Sequence, residues 1–196
     1  MGDKVNYAYL ILTGSARSYS YDENGNTFIN IDFEKGSMFG LRDIISEKKY
    51  YTESLKALED TDVLLLEKFR LISPCQNRCQ RHITLLKACF LELGRQDEEI
   101  MFHKNLLTLS KTSDMVMTYL KHIAIKKGNV EFDIPYSRND LATYLGVERS
   151  ALSDEISKLA KKGLIEYKTN HFKLLNVDVK GKKIKWNHLI FFFLII

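Results

Sequence analysis

Three cysteines, Cys75, Cys79 and Cys89, fall within fifteen residues of one another, and their thiols are the groups in this 196-residue chain best suited to metal or redox chemistry. A helix through them would put Cys75 and Cys79 on one face and Cys89 two to three turns further along. Iron–sulfur clusters usually take four thiolates, and one ion with bonds of ~2.3 Å cannot easily gather three ligands from a continuous helix. No metal and no cofactor are therefore expected. The cysteines read as small buried hydrophobes at a domain junction, or as a dithiol switch between Cys75 and Cys79. The histidines, His82, His103, His122, His171 and His188, are scattered. No glycine-rich phosphate loop, metal motif or nucleophile elbow accompanies them, so the chain is expected not to be an enzyme.

A second chemistry is offered by "YSRNDLATYLGVERSALSDEISKLAKKGLI", residues 136–165. Ser137 is a good N-cap with Asp140 three residues on. The helix "RNDLATYL" is stopped by Gly146, which can take the left-handed turn conformation. "ERSALSDEISKLAKK" makes a further helix with Leu152, Ile156 and Leu159 inward, and Gly163 ends it. "LIEYKTNHFKLL" then reads as a hairpin with a polar, basic tip. Two helices joined by a tight glycine turn and followed by a hairpin make a winged helix-turn-helix, whose second helix enters the DNA major groove. Asp154 is the discordant residue there, because a carboxylate is repelled by phosphate-lined DNA.

The elements that must position this device differ in kind. From Tyr7 to about Phe69 the pattern is β: "YAYLILTGSARSYSY" is β-branched and aromatic, and Asn24-Gly25 marks a hairpin before the alternation of Ile29, Ile31 and Phe33. "EKGSMFG" reads as a glycine-bounded loop. "SLKALEDTDVLLLEKF" reads as two strands around a turn at Glu59–Asp62. Short successive strands imply a sandwich or barrel. After Pro74, the apolar residues Ile83, Leu86, Phe90, Leu93 and Ile100 recur at three- and four-residue steps, with Asp97 between the last two. This is a helix of roughly 25 residues with a heptad-like seam, which either packs on its own domain or, as its length favours, makes a parallel two-helix dimer contact. A second helix starts near Ser110 or Ser113, carries Met115, Val116, Tyr119, Leu120 and Ile123 on one face, and ends at Gly128. "VEFDIPY" is a short extended piece.

The expected fold is α+β: a partial β jelly roll over residues 1–74, a dimerisation helix over 75–109, a C-terminal winged helix-turn-helix over 110–176, and an atypical basic and hydrophobic tail over 177–196. Residues 1–74 carry 9 basic and 12 acidic side chains and the remainder 20 and 13, so the positive charge gathers in the half expected to meet nucleic acid.

The stretch "DLATYLGVERSALSDEISKLAKKGLI" resembles the helix-turn-helix of the Crp/Fnr family of bacterial transcription regulators. Upstream, "YLILTGSARSY", "GSMFG" and "LKALEDTDVLLL" resemble that family's cyclic-nucleotide-binding-like roll. The likeness covers residues 2–176 in the order roll, long helix, winged helix. It implies a homodimer on double-stranded DNA with half-sites ~34 Å apart, and RNA polymerase as a further partner. Carried over by position, Arg149, Ser150 and Asp154 would meet base edges. Arg149 can bond bidentately to guanine, which is worth roughly 1–3 kcal/mol of discrimination. Many relatives have arginine where Asp154 stands. Asp154 can accept from a cytosine amino group, orient Arg149 or Lys158, or face a solvated gap. Phosphate contacts would come from Ser137, Ser153, Lys158, Lys161, Lys168 and, at the wing tip, Thr169, Asn170 and His171.

The effector pocket implied by the resemblance lies about Gly40, Leu41, Arg42, Tyr51 and Thr52. Leu41 stands where a ribose-binding glutamate would be, and Tyr51 falls at the phosphate-binding arginine. Without that guanidinium a buried cyclic phosphate lacks its bidentate partner, so cyclic AMP is not expected to bind and the effector stays open. The family's rolls have one or two strands before the segment matching "YLILTG"; here the roll is expected to be shortened and open, with exposed strand edges. "MGDKVNYAYL" lacks the pattern of a secretory signal, and "NHLIFFFLII" has eight consecutive apolar residues against the ~20 that span a bilayer. A cytoplasmic protein that does not enter membranes is expected. The alternative is a truncated partner that pairs through its long helix and does not itself read DNA.

Overall fold

A computed structural model describes residues 2–73 and 80–175. Cys75, Cys79 and the tail over 177–196 lie outside the described residues. The chain divides into two units, Met1–Thr108 and Leu109–Ile196.

The first unit opens with six short strands: β1 (Tyr7–Thr13), β2 (Ala16–Tyr21), β3 (Thr27–Phe33), β4 (Met38–Phe39), β5 (Ser54–Ala57) and β6 (Asp62–Glu67). They form two antiparallel three-stranded sheets, in the orders β4-β1-β6 and β3-β2-β5. The apolar alternation of β3 turns Ile29, Ile31 and Phe33 inward. These last two meet Ala8, Ile11, Met38 and Phe39 in the core between the sheets. The Asn24-Gly25 turn joins β2 to β3 as the sequence indicates. It is closed by the Asp22 carboxylate, which accepts from the backbone N–H groups of Asn24 (2.9 Å) and Asn26 (2.8 Å). The strands β5 and β6 do not form a hairpin with each other: β5 pairs with β2 and β6 with β1, so the turn between them crosses from one sheet to the other. β6 lies at an edge, and Val63, Leu64 and Leu65 are exposed on it.

Two short helices were not evident from the pattern. The loop after β4 continues into α1 (Leu41–Ile45), and the expected strand through Phe69 gives way at Lys68 to α2 (Lys68–Ile72). Five-residue helices are too brief to show a hydrophobic period. The long helix α3 (Gln80–Leu107) runs 28 residues. Its inward face sets Cys89 into the roll's core, with Leu85, Leu93 and Ile100 packed around it.

The second unit holds α4 (Thr112–Lys127), β7 (Glu131–Asp133), α5 (Arg138–Leu145), α6 (Arg149–Lys161), β8 (Ile165–Lys168) and β9 (His171–Leu174). The extended piece at Glu131–Asp133 pairs with β9, so the wing is a three-stranded sheet in the order β7-β9-β8. Val116, Leu120 and Ala124 of α4, Leu141 and Leu145 of α5, and Leu152 and Ile156 of α6 are wholly buried. Three tyrosines join this core, with Tyr136 and Tyr144 ring centroids 4.9 Å apart and Tyr119 5.6 Å from Tyr144.

Candidate nucleic-acid interface and effector pocket

The geometry of the reader starts at Ser137. Its Oγ accepts from the Asp140 backbone N–H (3.1 Å), while the Asp140 carboxylate accepts from the Ser137 N–H (3.3 Å) and Oγ–H (2.8 Å). This reciprocal box starts α5. At the other end Gly146 takes the left-handed conformation (φ 63°) and closes the helix with bonds from the turn to Ala142 and Thr143 carbonyls. Only two residues, Val147 and Glu148, then separate Gly146 from α6.

Leu152, Ile156 and Leu159 anchor α6, and the opposite side of the helix is exposed. Arg149, Ser150 and Asp154 are all exposed, and their side chains meet no partner among the described residues. Lys158 is held instead by Glu155 at 3.2 Å, so Asp154 does not orient it. Ser153 Oγ donates to the Arg149 carbonyl (2.9 Å), and Ser157 Oγ donates to that of Ser153 (2.9 Å), as hydroxyls in a helix interior commonly do.

The wing is fastened from the start of α5. Arg138 lies over the Tyr167 and Phe172 rings, 5.6 and 5.5 Å from their centroids, and donates to the Thr169 carbonyl at 2.9 Å. Burial lowers its pKa, yet the guanidinium keeps its charge, and the aromatic faces favour it. Thr169 turns the hairpin with φ 54°. Lys168 is exposed at this tip. His171 is engaged: Nε2 lies 3.1 Å from Glu131 and Nδ1 3.0 Å from Asp133. Hydrogen bonding to Glu131, then to Asp133, raises its pKa above the ordinary 6.5.

The expected phosphate contacts therefore divide. Lys161, Lys168 and the Thr169-Asn170 turn remain presented. Ser137 and Ser153 already use their hydroxyl protons locally, Lys158 is paired with Glu155, and His171 is paired with two carboxylates. Arg138 was not singled out by spacing; the signal that could have found it is its place at the first position of a capped helix, next to an aromatic hairpin.

The expected dimer seam also divides. Leu93 and Ile100 pack against the roll, on the same side of α3 as Cys89, Glu92 and Gln96, and are corrected from seam to core. Leu86 is half-buried. Ile83 and Phe90 (67 % exposed) remain outward, joined at the same helical angle by Gly94 and Met101. The inward face carries a polar clamp. Glu92 Oε1 accepts from the Met38 N–H (3.1 Å), and Gln96 Nε2 donates to the Met38 carbonyl (2.8 Å). Burial alone would push the Glu92 carboxyl up, but bonds from Arg95, Gln96 and Met38 outweigh it and hold it below its usual range.

Of the expected pocket residues, Gly40, Arg42 and Thr52 line a cavity of about 150 Å³ in the roll, together with Asp43, Glu53 and Gln96. Leu41 and Tyr51 do not line it and are corrected to core residues. Tyr51 Oη donates to the Tyr7 carbonyl at 2.6 Å, and burial pushes its phenol up to about 12. Its ring would lie 3.0 Å from a β-carbon on Gly40, where φ is 79°. The position at which the resemblance expects a phosphate-binding arginine thus holds a neutral phenol bonded to backbone. Cys89 is a buried thiol, 4.0 Å from Met38 Sδ, whose pKa burial raises.

A β-roll, a long helix and a winged helix-turn-helix in this order define a class of DNA-binding regulator that carries a sensory domain. Residues 1–77 match the cyclic nucleotide-binding domain family, and residues 106–179 match the Crp-like helix-turn-helix domain family. The transcriptional activator protein FnrA of Stutzerimonas stutzeri is 25 % identical over 182 residues, covering 89 % of this chain and 71 % of the relative. The transcriptional regulatory protein btr of Bordetella pertussis is 25 % identical over 190 residues, covering 93 % and 74 %. Among solved structures, FixK2 from Bradyrhizobium japonicum shares the fold with a TM-score of 0.70 at 21 % identity, over 89 % of this chain and 85 % of that one. The chain belongs to the Crp/Fnr family of transcription regulators and carries that family's helix-turn-helix DNA-binding domain. The family is one of regulators and generally not of enzymes.

Proposed function

We propose that the chain acts as a homodimer on a palindromic site in double-stranded DNA. Each copy lays α6 in a major groove and presents Arg149, Ser150 and Asp154 to base edges. The observation that carries this reading is the two-sidedness of α6: three apolar anchors are buried while these polar side chains stand exposed without partners among the described residues. Arg149 suits guanine O6 and N7, and Asp154 suits a cytosine amino group. Lys161, Lys168 and the wing turn hold phosphates and set the register. The stripe of Ile83, Phe90, Gly94 and Met101 supplies the contact between copies, with the glycine allowing close approach of the second helix.

The roll carries an effector other than cyclic AMP, since Tyr51 offers no positive charge to a cyclic phosphate. RNA polymerase is the partner through which the bound dimer acts, in the cytoplasm. Selection from a randomised palindromic library, followed by gel shift at low salt, tests the proposal. A defined twofold-symmetric consensus is the expected result. No binding at low salt, even to non-specific DNA, would sink it.

A further inference from the structure

We propose that the roll's cavity binds a small organic cation, with an ammonium or guanidinium group seated on the Asp43 carboxylate and an apolar portion against Phe33 and Phe39. The proposal rests on reading the chain as an effector-controlled regulator, and it names the chemistry of that effector.

One side of the cavity is apolar, and the Phe33 and Phe39 rings on it meet edge to face with centroids 5.7 Å apart. Two deeply buried polar side chains also line it, Asp43 at 6 % exposure and Gln96 at 2 %. One Asp43 oxygen accepts from Thr52 Oγ1 at 2.8 Å; the other meets no donor among the described residues. Gln96 Nε2 donates both to the Met38 carbonyl (2.8 Å) and to Glu92 Oε1 (2.7 Å). Two acceptors fix which end of the amide carries the nitrogen, so its oxygen is the end left for a donor. What the buried polar groups still offer a ligand is therefore acceptors, and a ligand must bring donors to match them.

Charge selects among donors. A hydrogen bond to a carboxylate is stronger when the donor is itself charged, and the contrast grows where water is excluded. Glu53 adds a second carboxylate to the lining. Arg42 and Lys48 also line the cavity, but both are exposed, so their attraction for an anion is screened. An anion entering here meets Asp43 at close range and gains only these screened lysine and arginine charges. Asp43 belongs to α1 and Gln96 to α3, so one bound cation joins the pocket to the long helix.

The test is calorimetric titration of the full chain with phenethylamine, phenethyl alcohol and phenylacetate, which share a skeleton and carry charges of opposite sign or none. The amine is expected to bind at least about tenfold more tightly than phenylacetate, with the alcohol between them. Asp43→Asn, which still accepts from Thr52, is expected to bring the three within about twofold of each other. In the unsubstituted chain, N,N,N-trimethylphenethylammonium keeps the charge but has no donor, and it is expected to bind about tenfold less tightly than the amine. Equal or tighter binding of phenylacetate, binding of none of the probes, an unchanged preference in Asp43→Asn, or equal binding of the trimethylated ion would each overturn the proposal. A gel shift on the same sample separates the two readings: DNA binding without an amine preference rejects the cation site alone. An amine preference without DNA binding rejects the regulator reading and leaves the site standing.

Discussion

Asp154 sets a carboxylate on the exposed side of α6. It is exposed and meets no partner among the described residues, so its effect is exerted on whatever the helix meets. Asp154→Arg is expected to move base preference toward guanine by about 1–3 kcal/mol at one position in each half-site, measured by binding to a set of single-base operator variants. Unchanged preference would place Asp154 away from the bases. Ser137 acts within the protein: Ser137→Ala removes the two bonds made by its Oγ, leaves the backbone N–H on the Asp140 carboxylate, and is expected to cost about 1 kcal/mol in denaturant unfolding. His171 gives the wing a pH dependence. Its pKa is raised in the folded state by Glu131 and Asp133, so its contribution is complete below the unfolded value near 6.5 and is lost as pH rises through the folded value. An NMR titration should place its midpoint above 6.5, and His171→Asn should flatten the loss of stability over that window.

The long helix α3 packs one apolar stripe on the roll and leaves Ile83, Phe90 and Met101 exposed. Its sequence offered one apolar seam, but a helix packed on its own domain needs an inward stripe before any other. Leu93 and Ile100 supply that stripe, beside the Glu92–Gln96 clamp on the Met38 backbone. Leu93→Ala is expected to cost about 2–5 kcal/mol of stability, somewhat less in proportion to its partial exposure. Phe90→Lys should leave the melting temperature nearly unchanged and weaken self-association more than about tenfold, read by analytical ultracentrifugation. If both variants dissociated the dimer without unfolding, the division of the helix into two faces would be wrong. The helix-turn-helix, by contrast, was legible in full, because Ser137, Asp140 and Gly146 act on their own backbone neighbours and need nothing distant.

For the molecule as a regulator, affinity and specificity arise in different places. The positive excess lies after residue 74, and Lys161 and Lys168 stand exposed there. Affinity for DNA should fall linearly with the logarithm of salt concentration, and Lys168→Ala should lower the slope by about 1 per protomer while leaving the consensus unchanged. Arg149→Ala should do the reverse, relaxing the consensus with little change in slope. Both are read from binding isotherms at a series of salt concentrations.

By itself the sequence determined whatever rests on local chemistry: the Asn24-Gly25 turn, the inward alternation of β3, the caps of α5, the apolar face of α4 and the glycine-turn join to α6. These follow from one residue's conformational preference or from a single period of side chains. Only the tertiary structure decided which apolar residues of α3 face the roll, and that β5 and β6 belong to different sheets. It also showed that Leu41 and Tyr51 are core rather than pocket, and that Arg138 holds the wing. Each of these depends on partners distant in sequence, as Tyr51 depends on the Tyr7 backbone 44 residues away. Side-chain type and local spacing carry no record of such pairings. The same holds for Asp43, which no local pattern singles out and which the packing of α1 against the roll buries.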